Sequence, residues 1–306
     1  MPKTPNTPHC PDWATALLNG FSQIFLQCHP LCGLCCLLAI LLSAPALLGG
    51  ALLGGLAGLL TAQRRDYPKA ERQAGLYSYN GVLLGLLLSQ QLPWSTWLPP
   101  LIIAASGLSA ILVRQWLKHA GDAQSLPAYT APFVGLGWLL LACITVAQPN
   151  SLPPALDNTI AYANAVFISL GQIMFLDQPL AALSILIGLL LANRRAAFWA
   201  LLGSTVGLAL TLLHDPASHT QLGLAGYNPA LVALALSQRQ RTPWPALIGI
   251  LLASLLTPGF SALGLAPLTA PFILASWLVQ AGARVLHQTS NSRQQTQCWP
   301  AKETES

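Results

Sequence analysis

The chain has 306 residues, of which 14 are Lys or Arg and 9 are Asp or Glu. Charged residues make up 8%, against about 25% in an ordinary soluble domain, and 54% of the chain is hydrophobic. So few charges cannot cover the surface of a soluble 32.4 kDa protein, which excludes a soluble enzyme, a nucleic-acid binder and a disordered scaffold. What remains is an all-α polytopic membrane protein, and the net charge of +5 then concerns orientation rather than affinity for phosphate.

The first ten residues, MPKTPNTPHC, are polar and Pro-rich and do not read as a secretory leader. A short apolar piece at 13–27 ends in the polar break QCHP (27–30). Full spans are expected at 30–45, 46–63, 74–90, 97–117 and 128–147. A second short piece at 160–176 ends at DQP (177–179), and further spans are expected at 179–193, 196–213, 222–238, 243–258 and 267–286. A helix that stops at mid-depth leaves bare backbone, which is tolerated only against a cavity or inside protein. Each half is therefore read as five spans plus one pore half-helix. The halves are 1–150 and 151–286, and 287–306 is expected to be a disordered cytoplasmic tail. Cys28, Cys32, Cys35 and Cys36 read as buried small hydrophobes rather than metal ligands, and no cofactor is implied.

The halves repeat one another at three places. FSQIFLQCHP (21–30) matches LGQIMFLDQP (170–179), aligning Gln23 with Gln172. GLYSYNGVLLGLLLS (75–89) matches GLAGYNPALVALALS (223–237) at more than half its positions. LPAYTAPF (126–133) matches LAPLTAPF (265–272), aligning Thr130 with Thr269, and Trp138 and Trp277 keep that register. With the N-terminus in the cytoplasm and five crossings per half, all the basic residues, from Lys3 to Lys302, fall on the cytoplasmic side. The loops near 44–46, 90–96, 148–158, 214–221 and 257–266 contain none. An odd number of crossings per half makes the repeat inverted, and such repeats put their solute site near the midplane between the halves. The expected location is the cell (inner) membrane, with both termini cytoplasmic.

No expected span holds a carboxylate, His or Lys in its interior, and Asp177, at the second break, is the one candidate at depth. Ion-coupled transporters normally need ionisable groups within their spans, so a passive path for a neutral solute is favoured. The rival is an ion- or proton-coupled transporter of a small amide or amine that uses Asp177; the milder reading gives Asp177 to exposed backbone at the break. An intramembrane enzyme is disfavoured, because no His–Cys or carboxylate pair falls within reach at depth. Gln23 and Gln172 both donate and accept, as an uncharged polar solute requires, and their symmetric placement favours the path over helix–helix bonding. Thr130 and Thr269 are placed on the path for the same reason. Tyr79 with Leu83, and Tyr227 with Leu231, lie one turn apart, and slot wall and core packing stay open for them. Asn80 and Asn228 are read as structural.

At these residues the chain resembles the urea transporter family, channel-like proteins of bacterial and animal membranes. The LPxxTxPF signature is complete at Leu126, Pro127, Thr130, Pro132 and Phe133, and its second copy has Ala266 where the first Pro belongs. GLYSYN and GLAGYN match a second family stretch, and SQIFLQCHP and GQIMFLDQP match a third, with His29 and Gln178 in place of its Asn. The resemblance covers about residues 12–285. It implies homotrimers in the lipid bilayer with one pore per protomer, and urea passing down its gradient through a flat slot lined by a ladder of carbonyl acceptors. It assigns amide binding to Gln23 and Gln172 and the central hydroxyls to Thr130 and Thr269. The slot walls fall to Ile24, Leu26, Tyr79 and Leu83 on one side and to Ile173, Phe175, Tyr227 and Leu231 on the other. Leu26 stands where the family often has Phe, which weakens the aromatic wall there.

Overall fold

A computed structural model describes residues 12–119, 126–144, 159–214, 222–240 and 242–297. The expected boundary at 150, the loop 148–158, all but the first residue of the loop 214–221, and the tail beyond 297 lie outside the described residues. The described residues with regular structure are helical. The first set is α1 (Asp12–Gln23), α2 (Pro30–Ser43), α3 (Pro45–Arg64), the short α4 (Lys69–Gln73), α5 (Tyr79–Gln91), α6 (Leu98–His119) and α7 (Ala131–Cys143). The second is α8 (Thr159–Gln172), α9 (Pro179–Ala192), α10 (Arg194–His214), the short α11 (Leu222–Ala225), α12 (Tyr227–Arg239), α13 (Trp244–Ala262) and α14 (Ala270–Gln297).

Proline sets several of these boundaries. It lies in the first turn of α2, α3, α7, α9 and α13, where its missing N–H is not needed and its fixed φ suits a helix. Among the described residues four helices, α3, α6, α10 and α13, are long and apolar enough to cross a membrane. Other expected full spans are shorter: α2 and α9 have 14 residues each, and three more begin or end well inside the expected bounds. The expected span 74–90 begins as turns, and α5 has 13 residues. The expected spans 128–147 and 222–238 contain the 13-residue helices α7 and α12. At 1.5 Å per residue such helices cover about 20 Å, short of a bilayer core of about 30 Å. The interruptions therefore involve more elements than the two short pieces seen in the sequence.

The end of the chain departs from expectation in the other direction. α14 runs on to Gln297, eleven residues into the stretch read as tail. No Gly or Pro occurs between Ala283 and Gln297, and once a helix is nucleated each further residue adds a hydrogen bond.

Matched elements pack in matched ways. α3 packs on α5 as α10 packs on α12; α1 packs on α2 as α8 packs on α9; α6 meets α7 as α13 meets α14. The sets join through α2 on α9 and α7 on α14. The α2–α9 seam buries Cys32 and Cys36, as expected, but Cys28 is exposed in the break before α2 and Cys35 is only half-buried, contrary to the expectation that all four are buried. Ser184 Oγ donates to the Cys35 carbonyl at 2.9 Å. The outer faces of these two helices expose Leu31, Leu34, Leu38, Leu41, Leu183, Ile187 and Leu190. Such continuous apolar faces suit lipid or another apolar surface and not water.

The α3–α5 crossing depends on glycine. A Cβ on Gly81 would lie 2.4 Å from the Gly54 carbonyl oxygen, and one on Gly54 would lie 2.0 Å from that of Gly81. The pair Gly50 and Gly85 repeats this one turn along. Small residues let membrane helices approach backbone to backbone. Gly81→Val is expected to lower stability by roughly 1–3 kcal/mol, measured as an earlier melting transition and loss of monodispersity in detergent.

Candidate functional site

The interrupted helices converge on two threonines. Thr130 and Thr269 are 4% and 3% exposed, and their hydroxyls are hydrogen-bonded to each other at 2.6 Å. One hydroxyl donates to the other, so one hydrogen and the remaining lone pairs stay available.

Thr130 is the N-cap of α7, yet its side chain makes no capping bond. The backbone N–H of Phe133, the third residue of the helix, donates instead to Asn80 Oδ1 at 3.2 Å. In the second set the N–H of Phe272 donates to Asn228 Oδ1, also at 3.2 Å. A free N-terminal N–H in an apolar interior has to find an acceptor. The asparagines of α5 and α12 supply it from outside the helix, and each threonine hydroxyl is left to face the other. Sequence reasoning set these asparagines aside as structural; the signal for their role was the Tyr-Asn pair repeated in both halves.

The tyrosine of each pair also acts on the loop. Tyr79 Oη donates to the Tyr129 carbonyl, and Tyr227 Oη donates to the Leu268 carbonyl at 2.7 Å. Asn228 Nδ2 donates to the same Leu268 carbonyl at 3.1 Å. Tyr129 and Leu268 immediately precede the threonines and both have φ of 43°, a left-handed conformation unfavourable for residues with a Cβ. The tyrosines thus pin a strained backbone at matching points. Trp138 Nε1 donates to the Ala266 carbonyl at 2.8 Å, and Trp277 Nε1 to the Pro127 carbonyl at 2.9 Å. Each tryptophan therefore holds the threonine loop of the other set.

The glutamines lie at the breaks of α1 and α8. The Leu26 N–H bonds to the Gln23 carbonyl at 2.9 Å and the Gln27 N–H to the Ser22 carbonyl at 3.1 Å. The Phe175 N–H bonds to the Gln172 carbonyl and the Leu176 N–H to the Gly171 carbonyl, both at 3.1 Å. Both are Schellman endings, with Leu26 (φ 57°) and Phe175 (φ 61°) at the left-handed position that glycine normally fills. The side chains of Gln23, Leu26, Gln172 and Phe175 are half-buried, whereas Ile24 and Ile173 are buried. Neither glutamine amide has a recorded bond among the described residues, so both remain able to bind a solute.

A cavity of about 410 Å³ brings Gln23, Leu26, Tyr79 and Tyr129 together with Gln238 and Arg239. Tyr227 is 9% exposed, and Leu83 and Leu231 are buried in the apolar core one turn beyond the tyrosines. A larger cleft of about 640 Å³ is lined by Leu112, Trp116, Ala131 and Pro132 among others, and neither threonine lines it. Asp177 is exposed, and its carboxylate accepts a long bond of 3.4 Å from Ser43 Oγ at the end of α2.

Long apolar helices, lipid-compatible outer faces and a neutral polar centre between interrupted helices define a multi-pass membrane transporter. The chain belongs to the urea transporter family: the model of that family, described as "Urea transporter", matches residues 14–284. Among relatives, "Urea transporter 1" of Ovis aries is 26% identical over 294 residues, covering 87% of this chain and 75% of the relative. The protein of the same name from Mus musculus is 26% identical over 244 residues, covering 74% of this chain and 62% of the relative. The family is one of transporters, so the chain is not an enzyme.

The division of labour between Asn and Thr is testable. Asn228→Ala is expected to cost about 1 kcal/mol, the usual worth of a cap, and to turn the Thr269 hydroxyl toward the orphaned Phe272 N–H. Thermal melting in detergent measures the first effect and slower solute flux in proteoliposomes the second.

Proposed function

We propose that the chain is a passive, channel-like path that carries urea down its concentration gradient. The observation that carries the reading is the pair of threonine hydroxyls, freed from helix capping and facing each other where the halves meet. Urea is planar and uncharged, with four N–H donors and one carbonyl acceptor. Gln23 and Gln172 at the breaks offer acceptors for its N–H groups, as do carbonyls at the ends of α1 and α8, where a helix leaves acceptors and a partial negative charge. Ile24, Leu26, Tyr79 and Leu83 on one side, and Ile173, Phe175, Tyr227 and Leu231 on the other, form the walls that confine the solute plane. Urea parts the Thr130–Thr269 bond and replaces it with bonds of its own, so the constriction exchanges one hydrogen bond for others. Similar weak sites in series allow entry and exit without trapping.

The matched packing of α1–α7 and α8–α14 supports two repeats of inverted topology, here 1–150 and 151–286. The one-sided distribution of basic residues supports cytoplasmic termini in a cell (inner) membrane. The exposed apolar helix faces suit a homotrimer within the lipid bilayer. The exposure of Asp177 and its contact with Ser43 favour passive conduction over coupled transport of an amide or amine.

The test is stopped-flow light scattering on proteoliposomes with urea, acetamide, ammonia and water. Gln172→Leu and Thr269→Val are each expected to slow urea flux about fivefold, the worth of roughly one hydrogen bond, without changing assembly. Unchanged flux in both variants would remove the site assignment. Flux that collapses with an uncoupler, or on Asp177→Asn, would establish coupled transport instead.

A further inference from the structure

The two sets of residues around the threonines are not chemically equal. In the second set Phe175 stands at the break, edge-on to Phe133 at 6.3 Å, and the residue before the threonine is Leu268. In the first set the break carries Leu26, and the residue before the threonine is Tyr129. The Tyr129 ring packs against Phe272 at 4.9 Å. Phe133 and Phe272 thus each have an aromatic neighbour, drawn from different positions. Tyr129 also lines the 410 Å³ cavity beside Gln23 and Leu26, so it provides the aromatic wall that Leu26 lacks.

Its hydroxyl is held by a directed chain. Arg239 Nη1 donates to Gln280 Oε1 at 2.8 Å, and Gln280 Nε2 donates to Tyr129 Oη at 2.9 Å. Gln280 is 5% exposed. A guanidinium has donors and no acceptor, so it faces the amide oxygen and turns the amide nitrogen toward the phenol. The phenol oxygen is therefore the acceptor of that bond, and its own hydrogen has no recorded acceptor among the described residues. Leu268, the counterpart in the second set, has no such donor.

We propose that the Tyr129 hydroxyl is a solute-binding and specificity-determining donor, which bonds the carbonyl oxygen of urea in the cavity beside Gln23, and that Gln280 and Arg239 are its positioning residues. Gln23 serves the solute's N–H groups and Tyr129 serves its C=O, so both hydrogen-bonding faces of the amide are met on one side of the threonine constriction. The inference rests on the reading of the chain as a urea path. It makes the two sides of that path unequal: one presents a donor on an aromatic ring, the other an aromatic ring without a donor.

The experiment compares the full chain with Tyr129→Phe and Gln280→Leu in proteoliposomes, reading the concentration dependence of urea flux and the ratio of urea to thiourea flux. Sulfur is a much weaker acceptor than a carbonyl oxygen, so the ratio reports the donor. Tyr129→Phe keeps the ring, and is expected to raise the half-saturating urea concentration about fivefold, the worth of one hydrogen bond, and to lower the urea-to-thiourea ratio. Gln280→Leu is expected to shift both in the same direction. A purely packing role would slow both solutes in parallel and leave the ratio unchanged; that result, or a Tyr129→Phe variant identical to the parent, overturns the proposal. A Gln280→Leu variant identical to the parent overturns the positioning role. If the parent chain itself passes no urea, the urea reading fails before the variants are compared, so the two failures are distinguishable.

Discussion

Every backbone N–H and C=O in the interior of a bilayer has to be bonded within the protein, because lipid offers no partner. A chain of uninterrupted helices meets that demand at once but leaves no polar backbone or helix end at depth. This chain interrupts its helices around one point, and the rest of the site consists of groups that satisfy the breaks. Schellman bonds close the ends of α1 and α8. Asparagines take the N–H groups at the starts of α7 and α14. Tyrosines and tryptophans take the carbonyls of the loops before them. An unpaired group in such a setting costs about 1–3 kcal/mol, so the groups that satisfy the breaks are as necessary to the site as those that face the solute.

The same constraint explains why the threonines are available. Threonine at a helix start ordinarily caps its own helix, and a capped pair would offer the solute little. Moving the cap to Asn80 and Asn228 separates two functions that one hydroxyl could not perform together. It also accounts for the recurrence of Tyr and Asn as adjacent residues at the starts of α5 and α12. On a helix adjacent residues point about 100° apart, which lets one reach the loop carbonyl and the other the helix N–H. The 13-residue length of these helices follows, since they begin where the threonine loops lie and not at the membrane surface.

Much of this was legible in the sequence. The low charge count identified the membrane, and the repeated Tyr-Asn and Thr-Ala-Pro-Phe segments identified residues that bond to one another. Two things were not legible, for physical reasons. Left-handed backbone is ordinarily signalled by glycine, and here it falls on Leu26, Phe175, Tyr129 and Leu268, whose side chains give no local sign of it; Schellman bonds hold it at Leu26 and Phe175, and tertiary bonds pin it at Tyr129 and Leu268. The early part of the expected third span reads as helix because Gly-Leu-Tyr-Ser-Tyr-Asn is apolar enough, but whether it turns depends on partners distant in sequence. The long run of α14 was missed for the opposite reason, since polar composition was read as disorder in a segment without a helix breaker.

Those distant partners also show where the chain places its charge. Gly75 has φ of 79° and lies so close to α1 that a Cβ there would meet the Asn19–Gly20 backbone within 2.6 Å. Asn19 Nδ2 donates to the Gln73 carbonyl at 2.7 Å. Just beyond, Glu71 accepts from the Tyr77 hydroxyl and pairs with Arg114 at 3.1 Å, half-buried, and the Arg114 guanidinium also lies 5.6 Å from the Tyr67 ring centroid. An ion pair within the apolar core would need excellent geometry to offset the loss of its hydration. At the rim, where partial hydration remains, it fixes the turn that lets α5 begin at Tyr79. Charge thus holds the interruption in place from the edge. Arg239, which lines the cavity, reaches Tyr129 through Gln280, so the groups bonded around the threonine pair are neutral donors and acceptors.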